Sequence, residues 1–110
     1  WLLTSGRDAR INVWEVAADY RLHQSIPAHL YAINHLAYSP DGRYLASCSM
    51  DKSIKIWDPE TFRLRKVIDR ARHAGHGTSV NRLLWLPNTP YLLSASDDRM
   101  VSVWQLNDTD

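Results

Sequence analysis

The sequence holds a single cysteine, a single phenylalanine and only four glycines in 110 residues, and no start methionine. One cysteine, Cys48, closes no internal disulfide, so the chain is not a disulfide scaffold and neither redox compartment nor secretion can be read from it. Apolar runs break within a few residues, far short of the roughly 20 that cross a bilayer as a helix. A membrane helix is therefore excluded for these residues. Charge of either sign is not in excess, since 13 Lys and Arg stand against 12 Asp and Glu. No overall field then favours nucleic acid or an anionic membrane. With Trp1 standing first, a native N-terminus further upstream is expected, and targeting signals at that end are unreadable.

What remains is a globular composition, 45% hydrophobic and 23% charged, in a length that suits one small domain with one core. Tryptophan is plentiful, five in all, and three of the five recur in similar surroundings. Thr4, Ser47 and Ser94 each lie ten residues before a Trp (Trp14, Trp57, Trp104), and Asp8, Asp51 and Asp98 each lie six before it. The intervals between these tryptophans are 43 and 47 residues, close to the period of a four-stranded propeller blade and unlike that of leucine-rich or helical-pair repeats.

Local patterning agrees with strands. Ile11 and Val13, Ile54 and Ile56, and Val101 and Val103 alternate with Asn12, Lys55 and Ser102, a period of two rich in β-branched residues. No segment reads as an amphipathic helix. Ser39-Pro40-Asp41-Gly42 predicts a tight turn, with Pro40 presetting φ and Gly42 free to take a positive φ, between strands at Ile33–Tyr38 and Tyr44–Ser49. Leu86-Pro87-Asn88-Thr89-Pro90 corresponds in length but has no glycine, so a different turn is expected there.

Ala28-His29, Ile33, Tyr38 to Gly42, Leu45-Ala46-Ser47, Asp51 and Ile54 to Asp58 together resemble one complete WD40 repeat, and Gly75-His76 through Trp104 resembles a second. His29 to Trp57 and His76 to Trp104 both span 28 residues, so the longer interval arises in the connector around Arg70 to His73. The departures are Ala28 in place of the usual glycine, and Glu15 and Gln105 in place of the aspartate after tryptophan. The resemblance implies an all-β fold of WD40 β-propeller blades, four-stranded antiparallel sheets forming a partial propeller. It divides the chain into a partial repeat over 1–16, a complete repeat over 17–68, and a repeat over 69–110 that lacks its outer strand. Counted as strands, the chain offers three, then four, then three. The last repeat runs out at Asn107-Asp108-Thr109-Asp110, and the expectation is that these residues lie at or near the end of a larger propeller.

A recurring Ser, His and Asp invites a nucleophile, base and orienter reading. The resemblance implies a structural role instead: a hydrogen-bonded chain of Trp57, Ser47, His29 and Asp51 in one blade and Trp104, Ser94, His76 and Asp98 in the next. Thr4, Asp8 and Trp14 form a shorter version without a histidine. An indole N–H only donates, a hydroxyl accepts and passes a bond on, and an imidazole bridges hydroxyl to carboxylate. A catalytic centre has no reason to occur once per blade, whereas a device that locks each blade does. His29, His73 and His76 make a poor metal set, lacking cysteine or paired carboxylates at ligand spacing. Arg63-Leu64-Arg65-Lys66, with Arg70 and Arg72, is locally basic and reads as a charged outer strand and connector. Cys48 reads as a packed thiol.

By the same resemblance the chain binds proteins or peptides, with no cofactor, no metal and no catalytic residue, no nucleic acid or membrane partner, and an intracellular setting, cytoplasmic or nuclear. It is expected to act as an interaction scaffold or, alternatively, as the regulatory or substrate-recruiting propeller of a larger enzyme or complex. The positions implied to line the partner face are Arg7, Met50 and Asp97, just before each turn aspartate, and Ala32, Asn34, Ser79 and Asn81, three and five residues after each histidine. Because isolated blades leave apolar faces open, the remaining blades of the same chain, or further copies of it, are expected as neighbours.

Overall fold

The structure, a computed structural model, describes residues 1–106. Ten strands and one helical turn follow in order: β1 (Leu2–Ser5), β2 (Arg10–Glu15), β3 (Arg21–Pro27), β4 (Ile33–Tyr38), β5 (Leu45–Ser49), β6 (Ile54–Trp57), β7 (Leu64–Ile68), α1 (Arg70–His73), β8 (Val80–Trp85), β9 (Tyr91–Ser96) and β10 (Val101–Gln105). They form three antiparallel sheets, β1-β2-β3, β4-β5-β6-β7 and β8-β9-β10, so the strand count is three, four and three among the described residues. The sheets are offset from the sequence repeats: β3 falls within 17–68 yet pairs with β2. The expectation about Asn107 to Asp110 lies outside the described residues.

Alternating residues send one face of each sheet towards its neighbour. Ile11, Val13 and Ile26 of the first sheet pack against Ile33, Leu45, Trp57 and Phe62 of the second. The second sheet's other face, with Ala46, Cys48, Ile54 and Ile56, meets Val80, Leu83, Trp85 and Leu92 of the third. Two side chains cross this second seam to backbone groups. Trp85 Nε1–H donates to the Ala37 carbonyl at 3.0 Å, and the Leu83 amide donates to His35 Nδ1 at 2.9 Å. The Tyr44 and Trp85 rings stack there, centroids 5.7 Å apart, and the Arg65 guanidinium lies 5.2 Å over Tyr44. Cys48 is fully enclosed, and burial pushes its thiol up to about 12, which leaves it an inert packing group.

Turn chemistry explains the two loops the sequence set apart. Gly42 adopts φ 74°, closing its turn with a bond from its amide to the Ser39 carbonyl at 3.0 Å. In the glycine-free loop the left-handed residue is Asn88, φ 62°, one position earlier in the loop, and asparagine tolerates this conformation better than most side chains. The connector around Arg70 to His73, read from sequence as the place of the extra residues, closes one helical turn because Asp69 caps it, accepting from the Arg72 amide at 2.9 Å. That turn also explains why Gly75 stands where the preceding repeat has Ala28: a Cβ on Gly75 would come within 2.8 Å of the Asp69 backbone.

Candidate functional site: a buried polar lattice beneath an exposed face

In the second sheet Trp57 Nε1–H donates to Ser47 Oγ at 2.9 Å, Ser47 Oγ lies 2.7 Å from His29 Nε2, and His29 Nδ1 lies 2.8 Å from Asp51 Oδ2. Donor inventory sets the direction of the whole chain. An ionised carboxylate can only accept, so Nδ1 carries the hydrogen that Asp51 takes; with the imidazole neutral, Nε2 is left to accept the Ser47 hydroxyl hydrogen, while Ser47 Oγ accepts the indole N–H. The third sheet repeats this with Trp104 to Ser94 at 2.9 Å, Ser94 to His76 at 2.8 Å and His76 to Asp98 at 3.0 Å. In the first sheet Trp14 donates to Thr4 Oγ1 at 2.9 Å, while Asp8 accepts from the Arg10 amide at 3.1 Å.

The Ser–His–Asp polarity matches that of a hydrolase triad, but the surroundings do not. Ser47 is 0% and Ser94 1% exposed, and each oxygen already accepts an indole N–H. Neither hydroxyl can meet a substrate carbonyl. The carboxylates are held ionised. Burial works to raise Asp51, but hydrogen bonds from His29, Ser53 and the Leu30 amide outweigh it and keep the group well below its ordinary value. Asp98 is lowered chiefly by its bond to His76. Sequence reasoning missed two members. Ser53 donates to Asp51 Oδ1 at 2.6 Å and sits 3.1 Å from His29 Nδ1, and Lys55 Nζ donates to the Ala28 carbonyl at 2.6 Å. Both lie between Asp51 and Trp57 in sequence, so their nearness to the turn was the available signal.

His29 and His76 are spent in separate sheets, and His73 is exposed on α1. Among the described residues no cluster of three His, Cys, Asp or Glu could hold a metal ion. Of the basic stretch, Arg63 and Arg65 are exposed on or beside β7, and Arg72 pairs with Asp69.

The seven residues of the expected partner face lie at one end of the sheets, beside the turns that carry Asp8, Asp51 and Asp98. Two β-bulges create part of this face. In the β4–β5 register Ile33 pairs with Ser49 and His35 with Cys48, leaving Asn34 over; in β8–β9, Val80 and Arg82 are paired and Asn81 is left over. Freed from the ladder, a bulged residue can re-aim its side chain. Asn34 Nδ2 donates to Ser79 Oγ at 3.1 Å and to the Val80 carbonyl at 2.9 Å, crossing from one sheet to the next. Ser79 Oγ donates to Asn81 Oδ1 at 3.3 Å, and Asn81 Nδ2 to Asp97 Oδ1 at 2.7 Å. Asn34, Ser79, Asn81 and Asp97 thus form one polar row. Ala32 accepts the Met50 amide at 3.0 Å, and Gly6, beside Arg7, accepts the Ile33 amide at 3.0 Å. At the opposite end a cleft of about 490 Å³ opens between the Ser39–Arg43 turn and the Asn88–Pro90 loop.

Comparison with known proteins places these features in a wider group. The family model "WD domain, G-beta repeat" matches residues 20–58 and 69–105, more than half of the chain. Ribosome assembly protein 4 of Saccharomyces cerevisiae is 37% identical over 57 residues, 52% of this chain and 11% of its own length. Nuclear distribution protein nudF of Aspergillus terreus is 38% identical over 77 residues, 69% of this chain and 16% of its own. The solved structure of U3-55K superposes with a TM-score of 0.85 at 30% identity, covering 94% of this chain and 32% of that one. This chain therefore spans less than a third of the length of each.

Proposed function

This chain belongs to the WD40-repeat β-propeller family, and from that membership we propose that it serves as a rigid protein-binding platform, a scaffold that presents the end bearing Arg7, Ala32, Asn34, Met50, Ser79, Asn81 and Asp97 to another protein. One observation carries the reading: the polar groups able to do chemistry are enclosed and mutually satisfied, while the residues of this end are exposed or half-exposed and tied together from sheet to sheet. Rigidity beneath and accessibility above lower the ordering cost of association. Relatives named for ribosome assembly and nuclear distribution support a role within multicomponent assemblies.

The lattice of Trp, Ser, His and Asp is, on this proposal, a structural staple, and the chain itself is non-catalytic. The outer face of β8-β9-β10 supports a place within a larger ring. Leu84, Val101 and Val103 are 58%, 64% and 61% exposed there, and we read that face as the seat of a further blade.

Affinity purification of the full-length protein from its own cells tests the proposal. Replacing Arg7, Met50 and Asp97 together by alanine is expected to strip co-purifying proteins while leaving the melting temperature unchanged. Glu60→Ala, on the exposed loop between β6 and β7, is expected to leave both unchanged. Equal losses from the two changes, or none from either, would sink the platform.

A further inference from the structure

Three large apolar side chains stand exposed on the middle blade at the platform end: Leu30 at 83%, Tyr31 at 62% and Met50 at 53%. Leu30 and Tyr31 were not among the positions expected to face a partner. Among the described residues neither buried apolar cluster includes them, and the segments that hold them are secured through backbone groups. The Leu30 amide donates to Asp51 Oδ2 at 3.1 Å, Ser49 Oγ donates to the Tyr31 carbonyl at 3.1 Å, and the Met50 amide donates to the Ala32 carbonyl at 3.0 Å. The buried lattice thus fixes the main chain of an apolar group whose side chains point to solvent. Prearranged aromatic groups on a rigid base are frequent anchors of an interface, and methionine is enriched at interfaces with them.

Charge flanks this group asymmetrically. Arg7 is exposed on the blade before it and Asp97 on the blade after it. Asp97 is steadied by Asn81, and Arg7 sits beside Gly6, whose carbonyl is bonded to the middle blade. Lys52 and Arg99 follow the turn carboxylates of the middle and last blades, so reversals at Arg7 and Asp97, rather than net charge, discriminate the arrangement.

Resting on the platform reading, we infer that Leu30, Tyr31 and Met50 form the central anchor of that face, and that the occupant is a partner peptide segment with an apolar core, an acidic flank over Arg7 and a basic flank over Asp97. The segment crosses the three blades in one polarity. Guanidinium and carboxylate at opposite ends of an apolar centre favour one charge order and repel the other, which is how charge supplies specificity.

The test uses the full-length protein and fluorescently labelled synthetic peptides with a Phe-Leu core. One carries acidic residues before the core and basic residues after it, a second has the opposite order, and two more have flanks of one sign. Polarisation titrations are expected to show preference for one mixed-charge order over the other and over both like-charged peptides. Tyr31→Ala and Leu30→Ala should each weaken that peptide at least about tenfold with unchanged melting temperature. The double reversal Arg7→Asp with Asp97→Arg should exchange the preferred order. Equal binding of both orders, no binding of any peptide, or indifference to Tyr31→Ala overturns the inference. If the alanine variants of the platform lose co-purifying proteins while the peptides ignore charge order, the platform stands and this occupant does not.

Discussion

Trp57, Trp104 and Trp14 make the same bond to a hydroxyl in three settings, and the setting decides what each bond contributes. Ser47 is fully enclosed and Ser94 nearly so, whereas Thr4 is exposed. Removing a donor from a buried acceptor costs about 1–3 kcal/mol, while an exposed acceptor recovers a bond from water. Trp→Phe substitutions should therefore destabilise in the order Trp57, Trp104, Trp14, with Trp14→Phe close to neutral at this bond, as read by thermal unfolding of the 110-residue segment. Acid adds a second residue-scale test. The Asp51 carboxyl lies below its ordinary value of 3.8 in the folded protein, so the unfolded chain binds its proton first as pH falls. The stabilisation is present above pH 3.8 and is lost on further acidification. Asp51→Asn should lower stability at neutral pH and flatten this acid limb of the stability profile.

Between strands, the seam of β4 and β8 is held by polar contacts as well as apolar packing. His35 Nδ1 accepts the Leu83 amide, which requires that nitrogen to be unprotonated. Burial, and then the charge of Arg82, lower the His35 imidazole below its ordinary value of 6.5. The folded form binds a proton less readily than the unfolded one, so the contribution is intact above pH 6.5 and declines as pH falls below it. Hydrogen exchange at the Leu83 amide, corrected for its intrinsic pH dependence, should accelerate on acidification through that range. His35→Leu should remove the pH dependence and leave that amide fast at every pH. An amide equally protected in both proteins would show that the bond does not hold the seam.

Across the whole molecule, equivalent positions differ only in what covers them. Ile54 and Ile56 are 1% and 2% exposed because the third sheet packs on them, whereas Val101 and Val103, in the same places on the last sheet, are more than half exposed. Fully burying such a side chain contributes about 1.5–3 kcal/mol, and open apolar faces of this kind drive association. The 110-residue segment on its own should therefore self-associate, with a sedimentation coefficient that rises with concentration. Val103→Lys should reduce that association. A concentration-independent monomer would contradict the reading of this face as the seat of a neighbour.

The linear chain by itself determined the period, the strand pattern and the recurring Trp, Ser or Thr, His and Asp, because these depend on local alternation and on offsets that one hairpin spans. It also marked Gly42 as a turn residue and the Arg70 to His73 connector as an insertion. Tertiary structure alone decided that the insertion closes a helical turn against Gly75, and that Ser53 and Lys55 join the lattice. It also decided that Asn34 and Asn81 are bulged out of their ladders, and that Leu30 and Tyr31 stand exposed on a fixed backbone. The bulges, the Lys55 bond and the exposed pair depend on strands and connectors meeting across a sheet, the helical turn and Ser53 on which nearby carboxylate is placed to accept, and none of these leaves a periodic mark in the chain that encodes it.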